Sequence, residues 1–247
     1  MIGGARRLGR VIALDLAAHG ADLAISTRAA LADAESTCAA ARSQGVHALA
    51  VAGDPGTAAG AAALVEQAAG ALGGLDVLVY AASGPFRPAP PQNADLDDWQ
   101  ASFDVIARGF FVAARAARER FVAQAAGAAA PAAPGVTCGV VVALTDLLGR
   151  QPSTAFAGHS AAKAAQIMLV ASLARAWGAD GVRVCGVAPG PTALTDDPRA
   201  DATLRAAQQA PLGRPVTPVE VAAVVRFAIE CDALTGVDLP VDGGASL

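Results

Sequence analysis

The chain has 247 residues, of which 54% are hydrophobic and 16% charged, and its net charge is −4. This length suits one α/β domain with a large core, so we predict a single domain over 1–247. An acidic balance without basic clusters argues against nucleic-acid binding, and the lack of any uncharged apolar run of about 18 residues argues against a membrane span.

Short apolar runs alternate along the chain with longer segments in which apolar residues recur at helical spacing. The runs predict strands at 21–26, 46–53, 75–80, 139–145, 181–188 and 236–242. The segments between them predict helices at 7–20, 29–45, 57–74, 96–121, 155–178 and 217–230. Because the strand runs are apolar on both faces, the alternation indicates an α/β fold with a doubly wound parallel sheet that is flanked by helices.

Two segments interrupt this alternation. Residues 123–135 are rich in alanine, proline and glycine, which predicts a surface loop ahead of the next strand. Residues 191–215 are long, polar and bounded by prolines. A segment of that kind after the carboxyl end of a strand predicts a lid over a ligand crevice, and we call 191–215 the lid.

The N-terminus and the cysteines bear on the protein's compartment and on metal binding. Arginines precede any apolar segment at the N-terminus, which argues against a signal peptide and favours a cytoplasmic protein. The four cysteines are scattered, without a C-x-x-C spacing. Such thiols are typical of small core residues rather than of metal ligands or disulfides, so no metal site is predicted.

The sequence "GGARRLG" at 3–9 has the pattern of a glycine-rich turn, which should follow a strand and open a helix. Only Met1 and Ile2 precede it. The first strand, which would be central in such a sheet, is therefore missing from the sequence as given. Since its loss would expose two sheet edges, we expect an incomplete N-terminus rather than a rearranged fold.

Several short motifs follow one another in order along the chain. They are the glycine-rich turn, Arg28, Asp54, "YAASG" at 80–84, Asp146, His159, Lys163, "APGPT" at 188–192 and "VDGG" at 241–244. Together they resemble the short-chain dehydrogenase/reductase family, which implies a Rossmann-type fold over essentially the whole chain. Within that family, Arg7, "LTD" at 144–146 and "VDGGASL" at 241–247 are most similar to the pteridine reductase branch.

The resemblance implies that the crevice binds NADP(H). The residues that it assigns to the cofactor are Gly3, Arg7, Leu8, Gly9, Arg28, Asp54, Ala82, Lys163, Pro189, Gly190 and Thr192. Gly3 and Gly9 allow a tight turn close to phosphate. Arg7 and Arg28 are expected to pair with the 2′-phosphate, because no acidic residue that would favour NAD ends the strand before Arg28.

Three of these assignments have alternatives in the sequence. Arg28 could be a solvated loop arginine. Asp54 either contacts the adenine, as in the family, or forms a turn before Pro55. Thr192 is expected near the nicotinamide carboxamide, although the composition of "APGPT" by itself indicates only a turn.

The catalytic positions depart from the family's pattern of serine, tyrosine and lysine assisted by an asparagine. Here Asp146 stands at the serine position, His159 at the tyrosine position, and Lys163 is retained. The aspartate matches the pteridine reductase branch, whereas the histidine does not. The asparagine position is Ile106, and Cys185 stands where a further asparagine is expected before "GVAPG".

The chemistry expected of His159 depends on its two charged neighbours. His159 and Lys163 are one helical turn apart and share a face. A lysine cation would lower the imidazole's pKa and leave a poor proton donor, whereas the Asp146 carboxylate would favour the protonated ring. We therefore expect an Asp146–His159 pair that stores a proton. The alternative is a polar helix residue in a lineage that lost its catalytic tyrosine.

Few aromatic residues are available to build a substrate pocket, since they make up only 4% of the chain. Phe86 is expected to stack on a flat heteroaromatic substrate, as an aromatic residue of this loop does in pteridine reductases, or else to cap the core. Phe156 and Trp99 are the other candidates. Tyr80, the only tyrosine, lies at the wrong end of its motif to replace the missing one.

These features predict an NADPH-dependent reductase of a C=N or C=O bond in a small pterin-like, imine or ketone substrate. One alternative is an acyl-carrier-protein ketoreductase or enoyl reductase. Another is a non-redox or catalytically degenerate protein that uses the fold for binding or scaffolding, which the residues at 106, 159 and 185 would favour.

The resemblance also implies a homotetramer, or a dimer. The helices predicted at 96–122 and 156–177 are expected to pair with copies of themselves across two-fold axes. The apolar residues expected at these interfaces are Phe110, Phe111, Ile167 and Leu169.

Overall fold

The computed structural model describes residues 1–128, 136–194 and 197–247. Within these ranges the strands are β1 (Leu23–Thr27), β2 (Ala48–Ala52), β3 (Val77–Tyr80), β4 (Gly139–Leu144), β5 (Val182–Pro189) and β6 (Asp238–Val241). The α-helices are α1 (Arg7–Ala18), α2 (Leu31–Arg42), α3 (Ala58–Leu72), α4 (Leu96–Ser102), α5 (Phe110–Ala126), α6 (Ala157–Trp177), α7 (Ala200–Gln209) and α8 (Pro218–Glu230).

The strands form parallel ladders in the order β2-β1 and β3-β4-β5-β6. Ile2 joins the two ladders, because it bridges Ser26 of β1 and Tyr80 of β3 in parallel. Its N–H donates to the Val79 carbonyl at 2.9 Å, and its carbonyl accepts from Ala81 at 2.7 Å. A single bridging residue thus takes the place of a full central strand. The rest of that slot is a small cavity between β1 and β3 that α3 covers.

Alternating residues of the strands pack on opposite faces of the sheet. In β4, Val140 and Val142 belong to a core with α1, α2 and α8, whereas Val141 and Ala143 belong to a core with α3, α5 and α6. Successive side chains of a strand point to opposite faces, so β4 is buried on both sides. The predicted doubly wound α/β fold is confirmed.

Local sequence signals explain where two of the helices begin. Thr57 caps α3 by accepting from the Gly60 N–H. In α8, Thr217 and Glu220 form a reciprocal capping box, and Pro218 occupies the first turn, where its missing N–H costs nothing.

The segment predicted as one helix over 96–121 is interrupted. Between α4 and α5, residues Phe103–Gly109 form a π-helix. The Tyr80 hydroxyl, fully buried, donates to the Val105 carbonyl at 2.5 Å inside this wider turn. Such insertions shift the register of the following helix, and apolar periodicity does not reveal them.

This register places Phe110 inside the subunit. Its ring packs edge-on against Tyr80, with 5.6 Å between centroids, and it is completely buried. The prediction that Phe110 contributes to a subunit interface is therefore wrong. Phe111 is 37% exposed and Met168 of α6 is 65% exposed, while Ile167 and Leu169 are partly buried.

The two irregular segments also differ from expectation. Helix α5 continues to Ala126, into the loop predicted at 123–135, because its alanines have high helix propensity. Residues 129–135 of that loop lie outside the described residues. The lid is not a plain loop, since it contains the helix α7. Its residues 195 and 196 are likewise outside the described part.

Candidate active site

A crevice of about 920 Å³ opens beyond the carboxyl ends of β3, β4 and β5, with the lid on its outer side. Ligands bind at this place in open parallel sheets. Of the residues predicted from the sequence, those that line it are Arg7, Leu8, Phe86, Asp146, Phe156, His159, Lys163, Pro189, Gly190 and Thr192. The remaining predicted cofactor residues, Gly3, Gly9, Arg28, Asp54 and Ala82, are not part of this lining.

The glycine-rich turn lies beneath one end of the crevice. Gly3 has φ +87°, and a Cβ atom there would lie 2.8 Å from the backbone of Ala81 and Ala82. A Cβ atom on Gly9 would lie 2.0 Å from the Gly3 carbonyl oxygen. Only glycine fits at either position. The turn therefore brings the start of α1 against the end of β3.

The first turn of α1 is suited to bind an anion. No side chain caps it, so its N–H groups have no side-chain acceptor at the N-cap. Arg7, its first residue, has φ 50° in the left-handed region, a conformation that costs energy for a residue with a side chain. A close-packed glycine turn, an uncapped helix start and an arginine together fit the pyrophosphate of a dinucleotide.

A buried carboxylate connects this turn to the lid. Asp197 is 3% exposed, and its Oδ1 lies 3.3 Å from Arg7 Nη2 and 3.3 Å from Arg199 Nε. Burial raises the pKa of Asp197, but the Arg199 backbone N–H and the two guanidinium groups outweigh it and hold the pKa below its usual value. Asp197 and Arg199 were not singled out from the sequence, which showed only that they belong to a polar segment.

Asp146 and His159 form the pair that the sequence predicts. Asp146 follows β4, and its Oδ1 accepts from the Leu148 N–H at 2.8 Å. Its Oδ2 lies 3.0 Å from Nε2 of His159, in the first turn of α6. Burial opposes ionisation of Asp146, but the hydrogen bond and charge of His159 and the charge of Lys163 hold its pKa below the usual value.

The carboxylate determines which ring nitrogen of His159 carries a proton. An ionised carboxylate only accepts hydrogen bonds, so Nε2 must donate to Asp146. The imidazole is 5% exposed, and its Nδ1 is buried without a hydrogen-bond partner among the described residues. In the neutral ring Nδ1 therefore carries a lone pair, and in the protonated ring it carries an N–H that donates to no described residue.

Lys163 lies one helical turn beyond His159 and is almost fully buried. Its Nζ donates to the Leu144 carbonyl at 2.6 Å and to Gln166 Oε1 at 3.1 Å, which leaves one N–H for a ligand. Burial lowers the pKa of Lys163 to about 8, although the carboxylates of Asp146 and Asp238 oppose this. Lys163 is thus cationic at neutral pH.

Aromatic rings form the wall of the crevice next to His159. Phe86 and Phe156 are stacked, with 4.1 Å between centroids, and the His159 ring meets Phe86 edge-on at 4.6 Å. The Arg199 guanidinium lies 4.3 Å from the Phe86 centroid. Because Phe156 already covers one face of Phe86, Arg199 covers the other. A planar substrate could stack on Phe86 only after Arg199 or Phe156 moved away.

Trp99, the third aromatic candidate, lies on a different surface. It stacks on Phe103 with 4.3 Å between ring centroids. It lines a separate, smaller cavity of about 210 Å³ rather than the crevice, although His159 and Phe156 line both.

The other residues singled out from the sequence lie outside the crevice lining. Arg28 is exposed just after β1. Asp54 forms a turn in which its Oδ1 accepts from the Gly56 N–H at 2.8 Å. Ile106 and Cys185 are completely buried. No helix in the described ranges is long and apolar enough to cross a membrane.

Comparison with known proteins is consistent with this geometry. Residues 3–246 match the sequence profile of a family described as enoyl-(acyl carrier protein) reductase. A cis-4-hydroxycyclohexanecarboxylate dehydrogenase from Sinomonas cyclohexanicum is 32% identical over 98% of this chain and 93% of its own. A 3-oxoacyl-[acyl-carrier-protein] reductase from Synechocystis is 30% identical over 98% of this chain and 94% of its own.

The fold is likewise shared with solved structures. A short-chain dehydrogenase from Burkholderia cenocepacia, determined in complex with NADP, superimposes with a TM-score of 0.86 and is 31% identical. The alignment covers 100% of this chain and 96% of the other. A short-chain dehydrogenase/reductase from Serratia marcescens superimposes with a TM-score of 0.87 at 28% identity.

Proposed function

The chain belongs to the short-chain dehydrogenase/reductase family and is an NAD(P)-dependent oxidoreductase, and from this premise we propose that it is an NADPH-dependent reductase of a C=O or C=N bond in a small molecule. The observation that carries the proposal is the Asp146–His159 pair in the crevice, with Nδ1 of His159 unpartnered among the described residues. Hydride transfer to such a bond needs a proton donor, and this pair can supply one.

The residues that would hold the dinucleotide are those of the glycine-rich turn, the two arginines, Lys163 and the segment 189–192. The packing of Gly3 and Gly9 supports phosphate binding there. Arg28 is exposed and has no ion pair among the described residues, so it could meet a 2′-phosphate at the surface. Arg7 would have to leave Asp197 in order to bind a phosphate. When bound, the reduced nicotinamide supplies the hydride. The Burkholderia relative with NADP supports the choice of NADP(H).

The protein's own part in the reaction is to position and move a proton. Asp146 orients the ring of His159 through Nε2, and an Nδ1–H of the protonated ring faces no competing acceptor among the described residues. Nδ1 is buried in this structure, so the side chains around it must move before a substrate can contact it. As the substrate's oxygen or nitrogen gains negative charge, it then takes the Nδ1 proton and leaves a neutral ring. Solvent returns a proton to His159 before the next turnover. Lys163 offers its remaining N–H to the cofactor's ribose.

Within the proposed substrate range, a ketone is favoured over a pterin or an imine. The names of the relatives from Sinomonas and Synechocystis describe enzymes that interconvert alcohols and ketones. Pterin stacking is disfavoured because both faces of Phe86 are covered. The likeness to pteridine reductases rests only on Arg7, "LTD" and "VDGGASL". An acyl-carrier-protein ketoreductase remains the second candidate, supported by the Synechocystis relative.

The first experiment measures cofactor fluorescence on addition of protein, with NADPH and NADH compared. Consumption of NADPH is then followed with ketones, imines and a pterin. We expect NADPH to bind more tightly than NADH and a ketone to be reduced. If neither cofactor binds, the protein uses its fold for binding or scaffolding instead, and the proposed reductase function is wrong.

A further inference from the structure

Arg199 is held in a defined position at the substrate end of the crevice. Its guanidinium lies over Phe86 at 4.3 Å from the ring centroid, and its Nε is anchored to Asp197. Both Phe86 and Arg199 line the crevice. A cation over an aromatic face in a partly desolvated site is attracted to the ring and restricted in its rotamers. The side chain is thus oriented before any ligand arrives.

One edge of this guanidinium remains available. Asp197 engages Nε, while the terminal amino groups make no hydrogen bond to the residues that the structure describes. Those amino groups form the planar fork that binds a carboxylate through two parallel hydrogen bonds. The side chain is 36% exposed, so a ligand can reach it.

The charges that line the crevice leave an excess of cations. They are Arg7, Asp146, Lys163, Asp197 and Arg199, together with the titratable His159. The Asp146 carboxylate is shared by His159 and Lys163, and the Asp197 carboxylate is shared by Arg7 and Arg199. Phosphates of the dinucleotide at the glycine-rich turn would account for Arg7. Asp197 would then engage only Arg199, through Nε, and the terminal amino groups of Arg199 remain as donors on the substrate side.

Arg199 and His159 are separated by a distance that suits a small substrate. The guanidinium carbon lies 4.3 Å and the imidazole centroid 4.6 Å from the Phe86 centroid. The two groups can be no farther apart than the sum of these distances. This upper bound admits only a compact substrate, in which a few flexible bonds separate the carbonyl from the anionic group. The aromatic residues beside them, Phe86 and Phe156, suit an aliphatic chain better than a planar ring, because both faces of Phe86 are covered.

We propose that Arg199 determines substrate specificity and that the crevice accepts a ketone that carries a carboxylate. The carboxylate pairs with the terminal amino groups of Arg199, and the carbonyl oxygen meets Nδ1 of His159 once the side chains that bury this atom move aside. Reduction adds a hydride to the carbonyl carbon and the Nδ1 proton to its oxygen, which yields a hydroxy acid. This inference rests on the proposed reductase function.

The test compares 4-oxopentanoate with its methyl ester, which keeps the ketone and removes the charge. The kcat/KM of each is measured with NADPH for the wild type, Arg199→Met and Arg199→Lys. Charge-assisted hydrogen bonds predict that the wild type prefers the acid by about 10- to 100-fold. Arg199→Met should bring the ratio close to one, mainly through KM, and Arg199→Lys should give an intermediate ratio because it keeps the charge without the fork.

The control is Arg205→Met, which removes an exposed arginine from the same helix, α7, outside the crevice lining. It should keep the wild-type ratio. A wild type that reduces acid and ester equally would overturn the inference, as would an Arg205→Met variant that loses the preference as fully as Arg199→Met.

A binding measurement separates this inference from the proposed function. Pentanoate, which has no ketone, is titrated by calorimetry into the NADPH-saturated protein. If no ketone is reduced but this acid binds to the wild type and not to Arg199→Met, the reductase proposal fails and the carboxylate site stands. If it binds equally to the wild type and to Arg199→Met, or to neither, the carboxylate site is wrong.

Discussion

Nε2 of His159 donates to Oδ2 of Asp146 across 3.0 Å, which leaves Nδ1, buried in this structure, as the ring nitrogen that we propose gives a proton to the substrate. His159→Ala should therefore lower kcat by roughly 10²–10⁴, the usual contribution of a positioned general acid. NADPH affinity should be nearly unchanged, because Lys163 remains in place. The measurements are steady-state turnover and NADPH fluorescence.

The pH profile tests the same pair. Turnover should fall as pH rises, because the proposed donor is the protonated ring. Asp146→Asn removes the carboxylate that orients this ring through Nε2 and should lower turnover. If turnover of His159→Ala equals that of the wild type, the proton comes from Asp146 or solvent.

Arg28 is expected to select the cofactor. It is exposed directly after β1, where no acidic residue competes for the ribose. If it pairs with the 2′-phosphate, Arg28→Ala should weaken NADPH binding by roughly 1.5–3 kcal/mol and NADH binding very little. Dissociation constants from fluorescence titration decide this. Equal weakening of both cofactors would show that Arg28 has only a structural role.

Gly9→Ala should disrupt the glycine-rich turn. The added methyl group would lie 2.0 Å from the Gly3 carbonyl oxygen. Such an overlap can be relieved only if one of the two backbone segments moves. We expect loss of NADPH binding and destabilisation of roughly 2–4 kcal/mol in urea unfolding. The matched control is Gly70→Ala, an exposed position in α3 with open space around it. It should stabilise the protein by roughly 0.5–1 kcal/mol. An intact NADPH site in Gly9→Ala would contradict the role of the turn.

Burial of Lys163 should make stability depend on pH in the alkaline range. Its pKa is lowered from 10.5 to about 8, so between these values the unfolded chain binds more protons than the folded one. The free energy of unfolding should therefore gain a contribution that increases with pH across this window, by up to about 1.4 kcal/mol per pH unit. Urea unfolding of the wild type and Lys163→Met at several pH values measures the difference. Parallel curves would show that Lys163 is not perturbed.

We propose that the protein is a homotetramer, or a dimer, assembled through α5 and α6. Phe111 and Met168 are large apolar side chains that remain exposed on these helices in the single subunit. Light scattering at micromolar concentration should show the oligomer, and Met168→Asp should shift it to smaller species because a buried charge is costly. Leu204→Asp, on the exposed side of α7, is the control. A monomeric wild type would contradict this assembly.

The amino-acid sequence was enough to predict the parallel α/β architecture, the glycine-rich turn and three polar residues of the crevice. Strand runs apolar on both faces, alternating with helical periods, specify a parallel sheet covered on both sides. Helical spacing placed His159 and Lys163 on one face, and the resemblance to the family's catalytic pattern added Asp146. Glycine patterns likewise identified the turn, since a backbone that passes within contact of another leaves no room for Cβ.

Contacts between segments that are distant along the chain became known only from the tertiary structure. Ile2 serves as a one-residue bridge between two ladders, and Phe110 turns inward after a π-helix, although the apolar pattern of its segment is continuous. Arg199 meets Phe86, and Asp197 meets Arg7, from segments far apart along the chain. Periodicity reports how much of a segment is buried but not which distant group it meets. These contacts depend on the lid's path, which no local pattern encodes.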